Sequence, residues 1–305
     1  MNSNPLSISL AGLELVNPTI LASGILGYSV ESLNRVAKGG AGAVVTKSVG
    51  ITPRMGYPNP TVVQAEGGLI NAIGLPNPGI DVYTEEIRFS KVLLHVPIIV
   101  SVFGYSAEEY AAVAKKAVEA GADAVELNVS CPHVKQTGAE IGQNPKLLGE
   151  VVKTVKAAIN KPLIVKLSPN VADITVLAKE AVESGADALT AVNSVKAVAI
   201  DVETMRPVLS NIKGGLSGPA IKPLALRCVW DLAEAFEVPI IGCGGVTNWR
   251  DAVEFFLAGA SAVQIGTAVA EDTAVFQAVN KGVESYLRKK SFRSVKDIVG
   301  LAHHK

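Results

Sequence analysis

Three side chains suited to proton and charge transfer stand at or just past the ends of short apolar runs: Lys47 after Ala43 to Thr46, Lys166 within Leu163 to Leu167, and Cys131 after Glu126-Leu127-Asn128-Val129. A free thiol titrates near pH ~8.5, so a modest shift makes Cys131 a base or nucleophile near neutrality. Ser130 and Pro132 flank it and His133 lies two residues on, but no His-Asp relay accompanies it. The plain alternative is a small buried hydrophobe, which is how Cys228, in a helical pattern, and Cys243, at a strand end, read. A lysine at a strand end either snorkels to solvent or supplies a fixed cation to a cofactor ring that gains negative charge on reduction. Asn71, Asn128 and Asn193 each bring a donor and an acceptor, a set that suits a planar, imide-rich ligand. Singly, each could be a loop-capping residue.

These residues need a frame, and a repeat supplies it. Gly40-Ala41-Gly42-Ala43-Val44 recurs as Gly121-Ala122-Asp123-Ala124-Val125, Gly185-Ala186-Asp187-Ala188-Leu189 and Gly259-Ala260-Ser261-Ala262-Val263. Each copy follows an alanine-rich amphipathic stretch and precedes a few strand-like residues, so glycine marks a helix-to-strand joint. Between the copies, Pro18, Pro97, Pro162 and Pro239 each stand directly before an apolar run, where proline is compatible with a ladder. Eight strand entrances alternate in this way, with helical patterns between most of them. From Ala107, Tyr110, Val113, Ala114, Ala117 and Val118 mark one helix face. The strands are short apolar runs rather than alternating ones, as when both faces of a parallel sheet are covered. The spacing predicts an α/β fold, a (β/α)8 TIM barrel forming one domain over residues 1–305; a doubly wound sheet is the competing arrangement. Leu6 to Leu15 predicts an N-terminal β-hairpin. Ser194 to Pro219, containing Ile200-Asp201-Val202-Glu203, predicts an inserted hairpin after strand 6. The Pro/Gly-rich stretch from Lys47-Ser48 to about Gly79 is too long for a plain connector and reads as part of a site or partner surface.

In such a barrel the chemistry sits at the carboxyl ends of the strands. Those ends read Ser23-Gly24, Lys47-Ser48, Ser101, Asn128, Lys166, Asn193-Ser194, Cys243-Gly244-Gly245 and Gly266-Thr267. The last two pairs follow strands seven and eight, where backbone N–H groups cradle phosphate and a side chain would obstruct it. The alternative is that glycine simply makes tight turns.

Composition narrows the function classes. The 305 residues carry 28 basic and 28 acidic side chains, a formal net charge of +0, which gives no electrostatic reason to expect nucleic acid or an anionic membrane surface. Hydrophobic residues are 49% of the chain, yet no run of roughly 18 lacks charge or strong punctuation, so no membrane span is expected. Met1 to Pro5 has neither a basic nor an apolar stretch, and the three cysteines match no zinc or iron–sulfur spacing. A reduced, cytoplasmic, metal-free chain is expected.

Nearly the whole sequence resembles the catalytic subunit of class 1 dihydroorotate dehydrogenases. The resemblance is carried by Asn71-Ala72-Ile73-Gly74-Leu75-Pro76-Asn77-Pro78-Gly79, Glu126-Leu127-Asn128-Val129-Ser130-Cys131-Pro132, Val165-Lys166-Leu167-Ser168-Pro169-Asn170, Gly214-Gly215-Leu216-Ser217-Gly218-Pro219 and Gly242-Cys243-Gly244-Gly245-Val246. It implies a non-covalent FMN at the mouth of the barrel, touching Ser23, Lys47, Ser48, Asn128, Lys166, Val192, Gly218, Gly244, Gly245, Gly266 and Thr267. Dihydroorotate would be held by Lys47, Asn71, Ala72, Ile73, Gly74, Leu75, Asn128, Asn193 and Ser194. Cys131 would remove the C5 proton on the side away from the flavin while C6 gives up hydride, with Lys47 and Lys166 assisting. Cysteine at 131, where the membrane-bound class has serine, points to class 1. Val134-Lys135-Gln136-Thr137-Gly138 with Gly142 is similar to the NAD-linked subclass, which pairs a homodimeric core with electron-transfer subunits carrying FAD and a [2Fe-2S] cluster in a heterotetramer. This chain shows neither a GxGxxG fingerprint nor cluster ligands, so such a partner would be required. Ser101 and His133 stand where the family commonly has asparagine, so one amide contact is absent or replaced. The alternatives are a fumarate-linked class 1A enzyme, a flavin barrel acting on dihydropyrimidines, and a flavin-free aldolase or isomerase barrel.

Overall fold

The computed structural model describes residues 4–129 and 141–304. A hairpin of β1 (Ile8–Leu10) and β2 (Leu13–Leu15) comes first. The repeating units start with β3 (Thr19–Leu21), α1 (Val30–Lys38) and β4 (Ala43–Val45). An excursion, β5 (Val62–Ala65) and β6 (Gly68–Asn71), precedes α2 (Ile80–Leu93). Then come β7 (Ile98–Val102), α3 (Ala107–Glu119), β8 (Ala124–Asn128), α4 (Pro145–Ala158), β9 (Leu163–Leu167), α5 (Ile174–Glu183) and β10 (Ala188–Ala191). A second excursion holds β11 (Val195–Val198), β12 (Ile200–Asp201), β13 (Arg206–Pro207) and β14 (Lys213–Ser217). The chain closes with α6 (Lys222–Ala235), β15 (Ile240–Cys243), α7 (Trp249–Leu257), β16 (Ala262–Ile265) and α8 (Val275–Lys289).

The repeat explains the architecture. Helix α3 begins where Ser106 Oγ accepts from Glu109 N and ends at Gly121, whose φ of +114° a side chain would resist. Gly121 N donates to Val118 O and Ala122 N to Ala117 O, the paired bonds of a Schellman ending. The same pair closes α1 at Gly40-Ala41, α5 at Gly185-Ala186 and α7 at Gly259-Ala260. The proline-led strands answer from the other side. Proline cannot donate, but the carbonyls of Pro18, Pro97, Pro162 and Pro239 accept from Val263, Val44, Val125 and Leu189 on neighbouring strands. Aspartates of the repeat complete two of these joints: Asp123 accepts from Ile98 N at 2.9 Å and Asp187 from Leu163 N at 2.7 Å.

The eight expected strands thus close into a parallel barrel in chain order, β3-β4-β7-β8-β9-β10-β15-β16 and back to β3. β7 and β9 are buried along their whole length, which is why they read as apolar runs without alternation, broken only by Ser101 and Lys166. On α3, Tyr110, Val113, Ala114 and Ala117 face the core as the spacing predicts.

The excursions depart from expectation. The stretch from Ser48 to Gly79 is not only loop: β5 and β6 pair, and β6 joins β14 in a four-stranded sheet, β11-β14-β6-β5. The inserted hairpin is also larger than Ile200 to Glu203 suggested, because β12 and β13 form only the tip beyond β11 and β14. The two excursions share a small core that contains Ile70, Ala72 and Leu209.

Candidate functional site

A cavity of about 450 Å³ opens at the carboxyl ends of the barrel strands, with Val62, Leu69, Asn71 and Ser217 of the four-stranded sheet on its roof. That volume falls in the roughly 300–1,000 Å³ range of cofactor and small-molecule sites. It gathers Ser23, Lys47, Ser48, Asn128, Lys166, Val192, Gly218, Gly244, Gly245, Gly266 and Thr267, the full set expected around a cofactor. Asn71, Ile73, Gly74, Leu75, Asn193 and Ser194 line it too. Ala72 does not: fully buried, it packs with Ile70 and Leu209. Cys131 and His133, with Val134 to Gly138, lie outside the described residues. The strand that delivers this segment is firmly held, since Tyr110 Oη donates to Asn128 O at 2.9 Å and Val129 is buried.

A belt of hydroxyls and amides crosses the cavity. Ser48 Oγ lies 3.3 Å from Ser23 Oγ and 2.8 Å from Ser101 Oγ, and Asn128 Nδ2 donates to it at 3.0 Å. Asn193 Nδ2 donates to Asn128 Oδ1 at 3.2 Å, and Asn193 Oδ1 accepts from Ser194 N at 2.8 Å. Ser101 is buried behind Ser48 as its support. Lys47 Nζ donates to Gly24 O at 3.3 Å and sits 5.7 Å from the centre of the Tyr28 ring. It is 7% exposed, so it does not snorkel.

Lys166 is likewise buried, and its Nζ donates to Gln264 Oε1 at 2.8 Å. Burial works against its charge, but Cys243 and Glu126 beside it act the other way and the net displacement of its pKa is upward. Cys243 lines the cavity against this lysine, and burial pushes its thiol up. The sequence missed this role of Cys243 and those of Glu126 and Gln264. Its available signal was a charged or amide side chain interrupting apolar strands.

The opposite wall is glycine-rich. Gly244 and Gly245 have φ of +132° and +80°, and a Cβ on either would press on α6, at 2.9 Å from Ala225 Cβ or 2.7 Å from Lys222 Cβ. Glycine is thus required here by the helix behind the loop, rather than by obstruction of the cavity. At Gly266 a Cβ would meet only Ala22 Cβ, at 3.4 Å.

Asp251 fixes the loop that follows Gly245. Its Oδ2 accepts from Thr247 N at 2.9 Å and Thr247 Oγ1 at 2.8 Å, and its Oδ1 accepts from Lys222 Nζ at 2.7 Å. Burial alone would raise its pKa; the Lys222 ammonium and the Thr247 donors outweigh that and hold it below the usual aspartate range. A depressed folded-state pKa contributes stability above the unfolded value that is lost as pH falls through the folded one. Asp251→Asn should cost about 2 kcal/mol at neutral pH. Urea unfolding should show that gap narrowing once the pH drops below ~4. A gap that is constant with pH would mean that charge is not what holds this loop.

The dihydroorotate dehydrogenase family profile matches residues 5–287. The chain belongs to the dihydroorotate dehydrogenase family. It is 55% identical over 298 residues to the catalytic subunit of dihydroorotate dehydrogenase B (NAD(+)) of Thermococcus kodakarensis, a match covering 97% of this chain and 98% of that one. The subunit of the same name from Methanosarcina mazei is 51% identical over 299 residues, covering 98% and 95%. Among solved structures, a dihydroorotate dehydrogenase from Eimeria tenella in complex with ferulenol superposes with a TM-score of 0.86, covering 100% of this chain and 90% of that one. At 23% identity, that likeness is one of fold. Within the family the strong similarity is to NAD-linked catalytic subunits, so a fumarate-linked enzyme is not favoured. Among the described residues, no helix is long and apolar enough to cross a membrane.

Proposed function

We propose that this chain is the FMN-bearing catalytic subunit of an NAD-linked dihydroorotate dehydrogenase, oxidising (S)-dihydroorotate to orotate in pyrimidine biosynthesis. The observation that carries the reading is one cavity in which two buried lysines and a belt of amides face a glycine-rich wall. Its donor chemistry fits FMN. Gly244, Gly245, Gly266 and Thr267 would hold its phosphate through backbone N–H groups, and Lys166, Lys47, Ser48 and Asn128 would supply polar partners to its ring. When bound, FMN supplies the acceptor for the hydride that leaves C6 of the substrate.

The chain's own residues do the rest. Asn71, Asn128 and Asn193 orient the dihydropyrimidine ring through paired donors and acceptors, with Ile73 to Leu75 closing over it. Asn128 and Asn193 already hydrogen-bond one another, and Ser48, backed by Ser101, fixes the Asn128 amide, so the belt is set before substrate arrives. Lys47 supplies a cation to the substrate carboxylate. Cys131 takes the C5 proton. Reducing equivalents then pass to NAD through a partner subunit carrying FAD and [2Fe-2S], on a homodimeric core that forms a heterotetramer. The names of the relatives, catalytic subunits of NAD(+)-linked enzymes, support this assignment.

The test is an anaerobic titration of purified protein with dihydroorotate. Bleaching of the flavin band, with turnover to NAD only when the partner subunit is added, is the expected result. A colourless protein would end the proposal, and bleaching by dihydrouracil but not by dihydroorotate would move the substrate.

A further inference from the structure

Glu126 opens the sequence motif that leads to Cys131, yet it does not line the cavity. It points into the barrel beneath it and is 0% exposed. Its Oε2 accepts from Gln264 Nε2 at 2.5 Å and from Thr190 Oγ1 at 3.0 Å. Gln264 Oε1 in turn accepts from Lys166 Nζ at 2.8 Å, and Lys166 does reach the cavity. Four strands, β8, β9, β10 and β16, therefore contribute one polar layer to a barrel whose interior is otherwise mostly apolar. The Gln264 amide has its polarity fixed from both ends, with N–H toward the carboxylate and oxygen toward the ammonium. Glu126 Oε1 lies 3.9 Å from Lys166 Nζ and has no hydrogen-bond partner among the described residues.

Such a layer is not what stability alone selects, because apolar residues of similar volume often do as well or better than a buried ion pair. Its effect is on Lys166. The titratable groups facing that ammonium are Glu126 from β8 and Cys243 from β15, while Thr190 from β10 and Gln264 from β16 are neutral and Lys47 stands on the same cavity with like charge. The buried Cys243 thiol keeps its proton at neutral pH. Glu126 is then the counterion.

We propose that Glu126 is a positioning residue which, through Gln264, holds the Lys166 ammonium charged and aimed at the cofactor ring, and thereby sets how readily the bound flavin is reduced. This rests on the FMN reading above. Without Glu126, burial is opposed by less and Lys166 gives up its proton at lower pH.

The experiment is an equilibrium reduction titration of the holoprotein against reference dyes across a pH series, for the natural sequence, Glu126→Gln, Lys166→Met and the double variant. In the natural sequence the potential-against-pH curve should show no lysine break below pH ~10. In Glu126→Gln a break should appear roughly one to three pH units lower, with reduction harder above it. In the Lys166→Met background, Glu126→Gln should add nothing, an outcome that a general structural role would not produce. Superposing curves for Glu126→Gln and the natural sequence, or an equal shift with and without Lys166, would overturn the proposal. Should Glu126→Gln fail to give folded holoprotein, Gln264→Met, which cuts the bridge and leaves the carboxylate, carries the test: a smaller shift in the same direction supports it and an unmoved curve overturns it. A colourless natural protein sinks the cofactor reading and this inference together, whereas yellow protein with superposing curves sinks only the inference.

Discussion

Replacing Cys131 by alanine should leave the flavin bound and slow its reduction by dihydroorotate roughly 100-fold or more, the usual scale for losing a general base. The retained cofactor follows from the cavity, since the residues expected to hold it come from β3, β4, β8, β9, β10, β14, β15, β16 and their following loops. The lost rate follows from chemistry. Of the candidate groups around the cavity, Lys166 keeps its proton and Cys243 is pushed up by burial, so neither substitutes as a base near neutrality. Stopped-flow reduction under anaerobic conditions reads the effect directly, and the pH profile gives a second check. The rise in rate toward pH ~8.5 that a thiol would impose should vanish in the variant. Reduction at the natural rate in Cys131→Ala would remove this residue from its assigned role.

The second large effect is on Lys166. Lys166→Ala leaves the Glu126 carboxylate buried without its cation, a change that costs roughly 3–5 kcal/mol when one member of a buried pair is removed. Chemical denaturation should show that loss, accompanied by weaker flavin retention or slower flavin reduction. Adding Glu126→Gln should restore part of the stability, because the neutral amide still accepts from Gln264 and Thr190 while the stranded charge is gone. The two substitutions acting additively would contradict a coupled pair, and unchanged flavin affinity and reduction would contradict a lysine in contact with the ring.

Much of this was legible because local chemistry and global fold agree. The glycine-led and proline-led strand entrances are each read from a handful of adjacent residues, and each does in the structure what its type dictates: glycine closes a helix, and a proline carbonyl accepts from the next strand. The cavity lining was legible for the same reason, since strand ends are marked by where the apolar run stops. The roof was not. β5 alternates exposed and half-buried residues over only four positions, and β14 contains Gly214-Gly215, which local propensity reads as a loop. Its strand conformation is imposed from outside: a Cβ at Gly214 would meet Asn71 O at 2.7 Å, and one at Gly215 would meet Ser194 Oγ at 2.1 Å. The layer beneath the floor was hidden differently. Glu126, Thr190 and Gln264 are far apart in the chain, and only closure of the barrel shows that Glu126 accepts from the other two and that Gln264 links it to Lys166.

The sheet over the cavity joins two excursions that leave the barrel after its second and sixth strands, and its central ladder pairs Asn71 with Gly215 and Ile70 with Leu216. Neither excursion is an interchangeable module. Transplanting only one of them from a distant homologue would set unmatched side chains against a backbone approach that tolerates none, and the ceiling over the ligand would fail to seat. Attempts to redesign what this pocket accepts must therefore exchange both segments at once, as a matched pair.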